Sequence, residues 1–382
     1  MRWNRMALPV LVAALLLGAC GGDKTPSGAA TTPPATSPTP SPEGSTKLVY
    51  STSIACPSSV CAEGNFPAAE ANDLFLYDVD LNIPTRLTSD GDDTVETLPQ
   101  FTPEGKVSFV EGTGEGKPGA ALFELPQSGG NAQELFRVTG GDSVFRYDWK
   151  PDGSAVAFLS FKDQRSSLKI WTRADGKIAT VKSFPELLGR GVGSTDEVAV
   201  AWSPNGQMLL VVDTFRSPPL ETTMWVLRPN GSDVVPARDG TFARWAPDSA
   251  SIIYRGWEKT QGWQRLTVSD GKTASLPIPE GRFLPVLSQD GTDIAYYAEG
   301  DAPAVYVFDL AAGKERKVGA GVVPLWLSDS TLLVTSVRAC RANDECFDRE
   351  WVPVGSAAIL RVNGGEPTTI EGWTLNADVR LP

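Results

Sequence analysis

Short apolar runs alternate with clusters of Gly, Pro, Asn and Asp along most of this chain. One set of runs is β-branched or aromatic: Val107-Ser-Phe-Val110, Ala155-Val-Ala-Phe-Leu159, Met208-Leu-Leu-Val-Val212, Ile252-Ile-Tyr254, Ile294-Ala-Tyr-Tyr297 and Leu332-Leu-Val334. A second set follows each after a loop: Ala121-Leu-Phe123, Leu168-Lys-Ile-Trp171, Met224-Trp-Val-Leu227, Arg265-Leu-Thr-Val268, Val305-Tyr-Val-Phe308 and Ile359-Leu-Arg-Val362. A Gly-containing turn then leads to a more polar run, such as Glu315-Arg-Lys-Val318 or Pro367-Thr-Thr-Ile370. Outside the N-terminus no segment sustains a helical period. The pattern predicts an all-β chain of short strands.

Each first run is preceded by the same turn, an aromatic or large apolar residue followed by x-(Pro)-Asp/Asn-Gly. The copies are Phe101-Thr-Pro-Glu-Gly105, Trp149-Lys-Pro-Asp-Gly153, Trp202-Ser-Pro-Asn-Gly206, Trp245-Ala-Pro-Asp-Ser249, Leu287-Ser-Gln-Asp-Gly291 and Trp326-Leu-Ser-Asp-Ser330. Their lead residues are 48, 53, 43, 42 and 39 apart. A repeat of about 40–50 residues marks stacked units such as propeller blades. Pro presets the first corner, and Gly takes the left-handed position that closes the hairpin. The copies ending in Ser249 and Ser330 must be strained or differently shaped. Two β-sandwich domains would also give short strands, but sandwiches do not repeat one turn at one period.

Four strands per repeat predict a β-propeller. The first stretch, with Lys47–Thr52, Leu74–Tyr77 and Pro84–Thr88, has no innermost strand of its own. The C-terminal stretch from Trp373 to Pro382 is one strand left over. The economical arrangement is a seven-bladed ring over 47–382 whose last strand pairs into the first blade and removes an open edge. Strand ends shifted by several residues would give six or eight blades instead. The lead tryptophans, Trp149, Trp202, Trp245 and Trp326, are expected to fill the wedges between blades.

The turn followed by Ala-Val-Ala-Phe-Leu-Ser and then Leu-Lys-Ile-Trp resembles the repeats of TolB-type propellers, which also form the propeller domains of some prolyl peptidases. The resemblance covers 47–382. It implies the fold and, as a first expectation of function, a partner within a cell-envelope complex. TolB itself is a soluble periplasmic protein with an additional N-terminal domain.

The N-terminus sets the compartment. Arg2 and Arg5 precede an apolar stretch from Ala7 to Leu17, short for a membrane span. Leu17-Gly-Ala-Cys20 resembles the bacterial lipoprotein box, so 1–19 read as a signal peptide and Cys20 as the acylated residue. An ordinary cleaved signal or an uncleaved anchor is the alternative. Residues 21–46 are rich in Pro, Ser, Thr, Ala and Gly and lack apolar content for a core. As a polyproline-like stalk, at about 3.1 Å per residue, they would reach roughly 80 Å. Cys56, Cys61, Cys340 and Cys346 are even in number, which suits disulfides in an exported protein. Local bridges, Cys56–Cys61 and Cys340–Cys346, are favoured by spacing, with cross-pairing or a zinc site as rivals. The expected location is a membrane, lipid-anchored, on the extracytoplasmic side.

The net charge is −12, and loss of Arg2 and Arg5 with a signal peptide takes it to −14. That balance excludes a basic nucleic-acid footprint. The chain has no histidine, which removes Ser-His-Asp, Cys-His and His-metal catalysis. No cofactor fingerprint occurs, so none is expected. Paired carboxylates acting on a glycan are the enzyme reading that is left. Asp90, Asp92 and Asp93 form a weak calcium candidate against a solvated acidic turn.

Loop lengths point to binding. The first-to-second and third-to-fourth turns of each blade are short. The second-to-third loops are long at 54–73, 111–119, 214–222, 256–262 and 338–356. Long loops on a rigid scaffold carry recognition, so Phe66, Phe215, Arg216, Trp257, Trp263, Phe347 and Trp351 are candidate anchors. A second candidate is the channel mouth, with Glu96, Arg146, Asp148, Arg244 and Arg282 from innermost strands. The expected occupant is an envelope protein bound by a monomer. The alternatives are a carbohydrate- or metal-binding sensor and a carboxylate-dependent glycan enzyme.

Overall fold

The computed structural model describes residues 47–52, 73–78, 81, 83–88, 94–113, 121–162, 165–184, 198–213, 223–256, 262–279, 281–298, 302–340 and 351–371. Every regular element among them is a strand. Blade one holds β1 (Lys47–Thr52), β2 (Asp73–Asp78) and β3 (Ile83–Arg86). Blade two holds β4 (Thr94–Phe101), β5 (Val107–Thr113), β6 (Ala121–Leu125) and β7 (Gln133–Arg137). Blade three holds β8 (Ser143–Trp149), β9 (Ala155–Lys162), β10 (Arg165–Thr172) and β11 (Ile178–Phe184). Blade four holds β12 (Val198–Trp202), β13 (Leu209–Asp213), β14 (Thr223–Leu227) and β15 (Asp233–Arg238). Blade five holds β16 (Thr241–Trp245), β17 (Ser251–Gly256), β18 (Gly262–Thr267) and β19 (Thr273–Ser275). Blade six holds β20 (Arg282–Leu287), β21 (Asp293–Ala298), β22 (Ala304–Asp309) and β23 (Lys314–Ala320). Blade seven holds β24 (Val322–Ser328), β25 (Thr331–Ala339), β26 (Trp351–Arg361) and β27 (Thr368–Glu371). Within each blade, strands pair antiparallel in sequence order.

Alternation along the strands makes this a ring. In β9, Ala155, Ala157 and Leu159 pack toward blade four, while Val156 and Phe158 pack toward blade two. Each sheet is therefore apolar on both faces, as stacked blades require. Seven apolar clusters lie at the seven junctions between neighbouring blades. One of them joins Leu48 and Tyr77 of blade one to Leu327, Leu333, Ala357, Ile359 and Ile370 of blade seven. That junction closes the ring. The fold is an all-β, seven-bladed propeller. Blade one has three strands among the described residues, and the expected fourth, from the C-terminal stretch, lies outside them.

The repeated turn works as its chemistry predicts. Gly105, Gly153, Gly206 and Gly291 adopt φ of 77°, 71°, 67° and 74°. Ser249 keeps that shape under strain, at φ 57°. The turn at Ser330 takes the other course: Ser328 pairs with Thr331 across a two-residue connection. Every lead residue then packs at the junction with the preceding blade. Phe101, Trp149, Trp202 and Trp326 are buried there, and Trp245 and Leu287 are half-buried against it.

Indole donors tie adjacent blades. Trp245 Nε1 donates to Ala201 O at 3.2 Å, and Trp326 Nε1 donates to Val286 O at 2.9 Å. Trp149 Nε1 donates to the buried Ser108 Oγ at 2.8 Å. The Trp202 indole nitrogen is buried with no partner among the described residues. At that junction the tie is made instead by the Trp202 backbone amide, which donates to Asp148 Oδ2 at 2.7 Å.

A second device recurs three residues ahead of the lead position. Leu98, Phe242, Leu284 and Val323 have φ of 55°, 52°, 45° and 51°, each at a register break in an innermost strand. Such a β-bulge re-aims a side chain. Here it turns these four onto the junction clusters, offsetting a left-handed cost of about 1–2 kcal/mol per residue.

Candidate functional site: the loop face and a polar hollow on blade three

In a ring of four-stranded meanders, second-to-third connections and inter-blade connections emerge on one side. Most of the expected anchors on that side fall outside the described residues: Phe66, Phe215, Arg216, Trp257 and Phe347, together with Cys20, Cys56, Cys61 and Cys346. Cys340 directly follows β25. The backbone of Trp351 opens β26, opposite Ala339. Trp263 is a correction. It is 3% exposed and packs between blades five and six, 6.5 Å from the Phe242 ring, so it is core and no surface anchor. The long loop expected over 338–356 is also shorter than read. β25 and β26 continue past a bulge to pair Val337 with Pro353 and Arg338 with Val352, leaving 340–350 as the connection.

The expected channel-mouth residues all lie on innermost strands. Glu96 is 1% exposed on β4 and stands directly opposite Glu111 on β5. Asp148 is held by the blade-four backbone, as above. Arg244 is exposed, with its guanidinium on the Ala243 carbonyl at 3.1 Å, and Arg146 is half-buried. Arg282 lies along its own blade. It crosses Tyr306 at 4.9 Å from the ring centroid and ends in a forked pair with Glu315 at 3.0 and 2.8 Å. Tyr296 also donates to Glu315, at 2.5 Å. Burial pushes the Glu315 carboxyl up, but the bonds from Arg282 and Tyr296 and the guanidinium charge outweigh it, leaving the pKa below the ordinary value. The Tyr296 hydroxyl is raised by burial first and then by that carboxylate. Among the described residues no group of three metal-ligating side chains comes together, and Asp90, Asp92 and Asp93 lie outside them.

A hollow that the sequence reading missed lies on the same side of the disk. The β9–β10 hairpin turns over two residues, and its face toward blade two becomes polar near the tip. Lys162 stands opposite Arg165, Ser160 opposite Ser167, and Phe158 opposite Lys169. β11 extends two of these rows, Ser183 beside Ser167 and Thr180 beside Lys169. With Asp142, from the connection ahead of β8, these polar side chains line a hollow of about 480 Å³. Asp142 bonds Lys169 Nζ and also accepts the Ser143 amide at 3.1 Å. A signal was present: Lys162, Arg165, Ser167 and Lys169 fall at strand alternation on the face whose other members are apolar.

No protein-family model matches the chain, and no curated protein matches it. Solved structures do resemble it. An oligogalacturonate lyase in complex with manganese has a TM-score of 0.58 at 13% identity, over 76% of this chain and 82% of that one. An oligogalacturonate lyase from Vibrio parahaemolyticus has 0.55 at 11%, over 70% and 80%. TolB from Acinetobacter baumannii has 0.45 at 15%, over 81% and 77%. Likenesses at this identity show the propeller fold and nothing finer.

Proposed function

We propose that this chain is a lipid-anchored, extracytoplasmic propeller that binds another protein of the cell envelope and catalyses no reaction. The observation that carries the reading is the sidedness of the disk. Turns such as 150–154, 203–208 and 268–272 are tight hairpins on one side. The connections at 53–72, 114–120 and 340–350 all leave from the other. Ring closure brings blades seven, one and two together, so three variable connections share one neighbourhood. The apolar run ahead of Cys20 and the stalk-like composition of 21–46 support export and tethering. The anionic balance disfavours adhesion to acidic lipid headgroups, which leaves membrane attachment to the covalent anchor.

The test is in-cell crosslinking of the tethered protein from a reactive group placed in 340–350, with partners identified by mass spectrometry. The expected result is one dominant envelope protein that is lost when Phe347 and Trp351 are both changed to Ala. Monomer alone, under every growth condition tried, would overturn the adaptor reading. Localisation has its own check. Cys20→Ala should move the protein from the membrane fraction to the soluble extracytoplasmic fraction.

A further inference from the structure

We propose that the hollow on blade three binds a small hydroxylated anion of sugar-acid or sugar-phosphate size, independently of what the loop face holds. Its charge is the first argument. Three of the eight lining side chains are cationic and one is a carboxylate, in a chain whose net charge is −12. Asp142 is committed to Lys169. Lys162 and Arg165 have no carboxylate within ion-pair distance among the described residues.

The register is the second argument. Lys162 and Arg165 occupy directly opposite positions on neighbouring strands, an arrangement in which like charges repel. An oxyanion seated between them converts that repulsion into two charge-assisted bonds. Arg165 supplies a planar fork for a carboxylate or phosphate, and Lys162 a mobile point charge.

The hydroxyls are the third. Ser160, Ser167 and Ser183 form one cross-strand row, and Thr180 sits in the next. Each hydroxyl both donates and accepts, which suits a ligand that itself carries hydroxyls. The volume agrees, since small-molecule sites run from about 300 to 1,000 Å³ and a bare oxyanion would fill a minor part of this one. Apolar ligands are disfavoured, because Phe158, the aromatic in these rows, is fully buried below the row it shares with Lys169.

The experiment is calorimetric titration of the full chain at low salt with four probes: glucuronate, glucose 6-phosphate, inorganic phosphate and glucose. Glucuronate and glucose 6-phosphate separate carboxylate from phosphate as the anionic group. At least one should bind, with glucose silent and inorganic phosphate weaker than the better sugar anion. Changing Lys162 and Arg165 together to Gln should weaken that binding by about tenfold or more, equivalent to about 1.4 kcal/mol. Ser167→Ala should weaken it less. Lys177→Gln, an exposed lysine away from the hollow, should leave it unchanged. Heat from none of the anions would overturn the proposal. So would equal affinity for inorganic phosphate and the sugar anions, or indifference to the double change.

Discussion

At the scale of single residues, two glycines separate backbone conformation from close approach. Gly231, in the turn between β14 and β15, has φ 85°, and a Cβ there would lie 2.3 Å from the carbonyl oxygen of Val181 in the neighbouring blade. Gly176 has nearly the same conformation, φ 67°, with open space around it. Gly176→Ala should therefore cost only the left-handed penalty, about 1 kcal/mol. Gly231→Ala must also move one blade against another and should cost about 3 kcal/mol or more. Urea unfolding midpoints read the difference, and equal losses would mean that the contact with Val181 is slack. The tryptophans allow a second comparison. Trp326→Phe breaks the bond to Val286 O, whereas Trp202→Phe removes an indole N–H that has no partner among the described residues. Ring shrinkage is common to both, so Trp326→Phe should cost about 1–2 kcal/mol more.

At the scale of strands and blades, the Arg282–Glu315–Tyr296 cluster locks the inner strand of blade six to its outer one, and its stability should depend on pH. The folded-state pKa of Glu315 lies below its unfolded value of about 4.3. Its contribution is thus complete above that value and disappears as pH falls through the lower folded-state value. Glu315→Gln should cost about 1–2 kcal/mol near pH 6. The gap between the two proteins should narrow steadily toward pH 3 in denaturant titrations, and a constant gap would refute the ion pair as its cause. Most strands were legible in the sequence because apolar alternation and the Pro-Asp-Gly turn reinforce one another, as in Trp149–Leu159. Trp263 was misread because a strand that begins right after a loop looks, in one dimension, like the loop's end. Arg282 looked like a channel residue from its place in the chain. Only the pairing of Tyr296 with Tyr306 across β21 and β22 reveals the aromatic surface it lies on. The hollow on blade three escaped notice for a related reason. Its polar residues come from three strands and a connection, and cross-strand register cannot be read from spacing alone.

At the scale of the whole molecule, ring closure is the property on which shared sidedness depends, and it has a weak point. Among the described residues the junction of blades seven and one holds no lead aromatic; it is built there from Leu48, Tyr77, Leu327, Leu333, Ala357, Ile359 and Ile370. The inner edge of β1 has no partner strand among the described residues. An unpaired edge of this kind invites pairing with another chain. If residues 372–382 supply the missing strand, they bond β1 and fasten the last blade to the first with the chain's own end. Truncation after Glu371 should then lower the melting temperature by several degrees, since about 1 kcal/mol shifts a chain of this size by roughly 2–4 °C. The truncated protein should also form concentration-dependent oligomers in light scattering. An added peptide with the sequence of 372–382 should restore the monomer. Leu48→Ala, which thins the same junction without exposing the edge, should lower the melting temperature and leave the protein monomeric. Melting and monomeric state both unchanged by truncation would show that the ring closes by side-chain packing alone, with blade one complete at three strands.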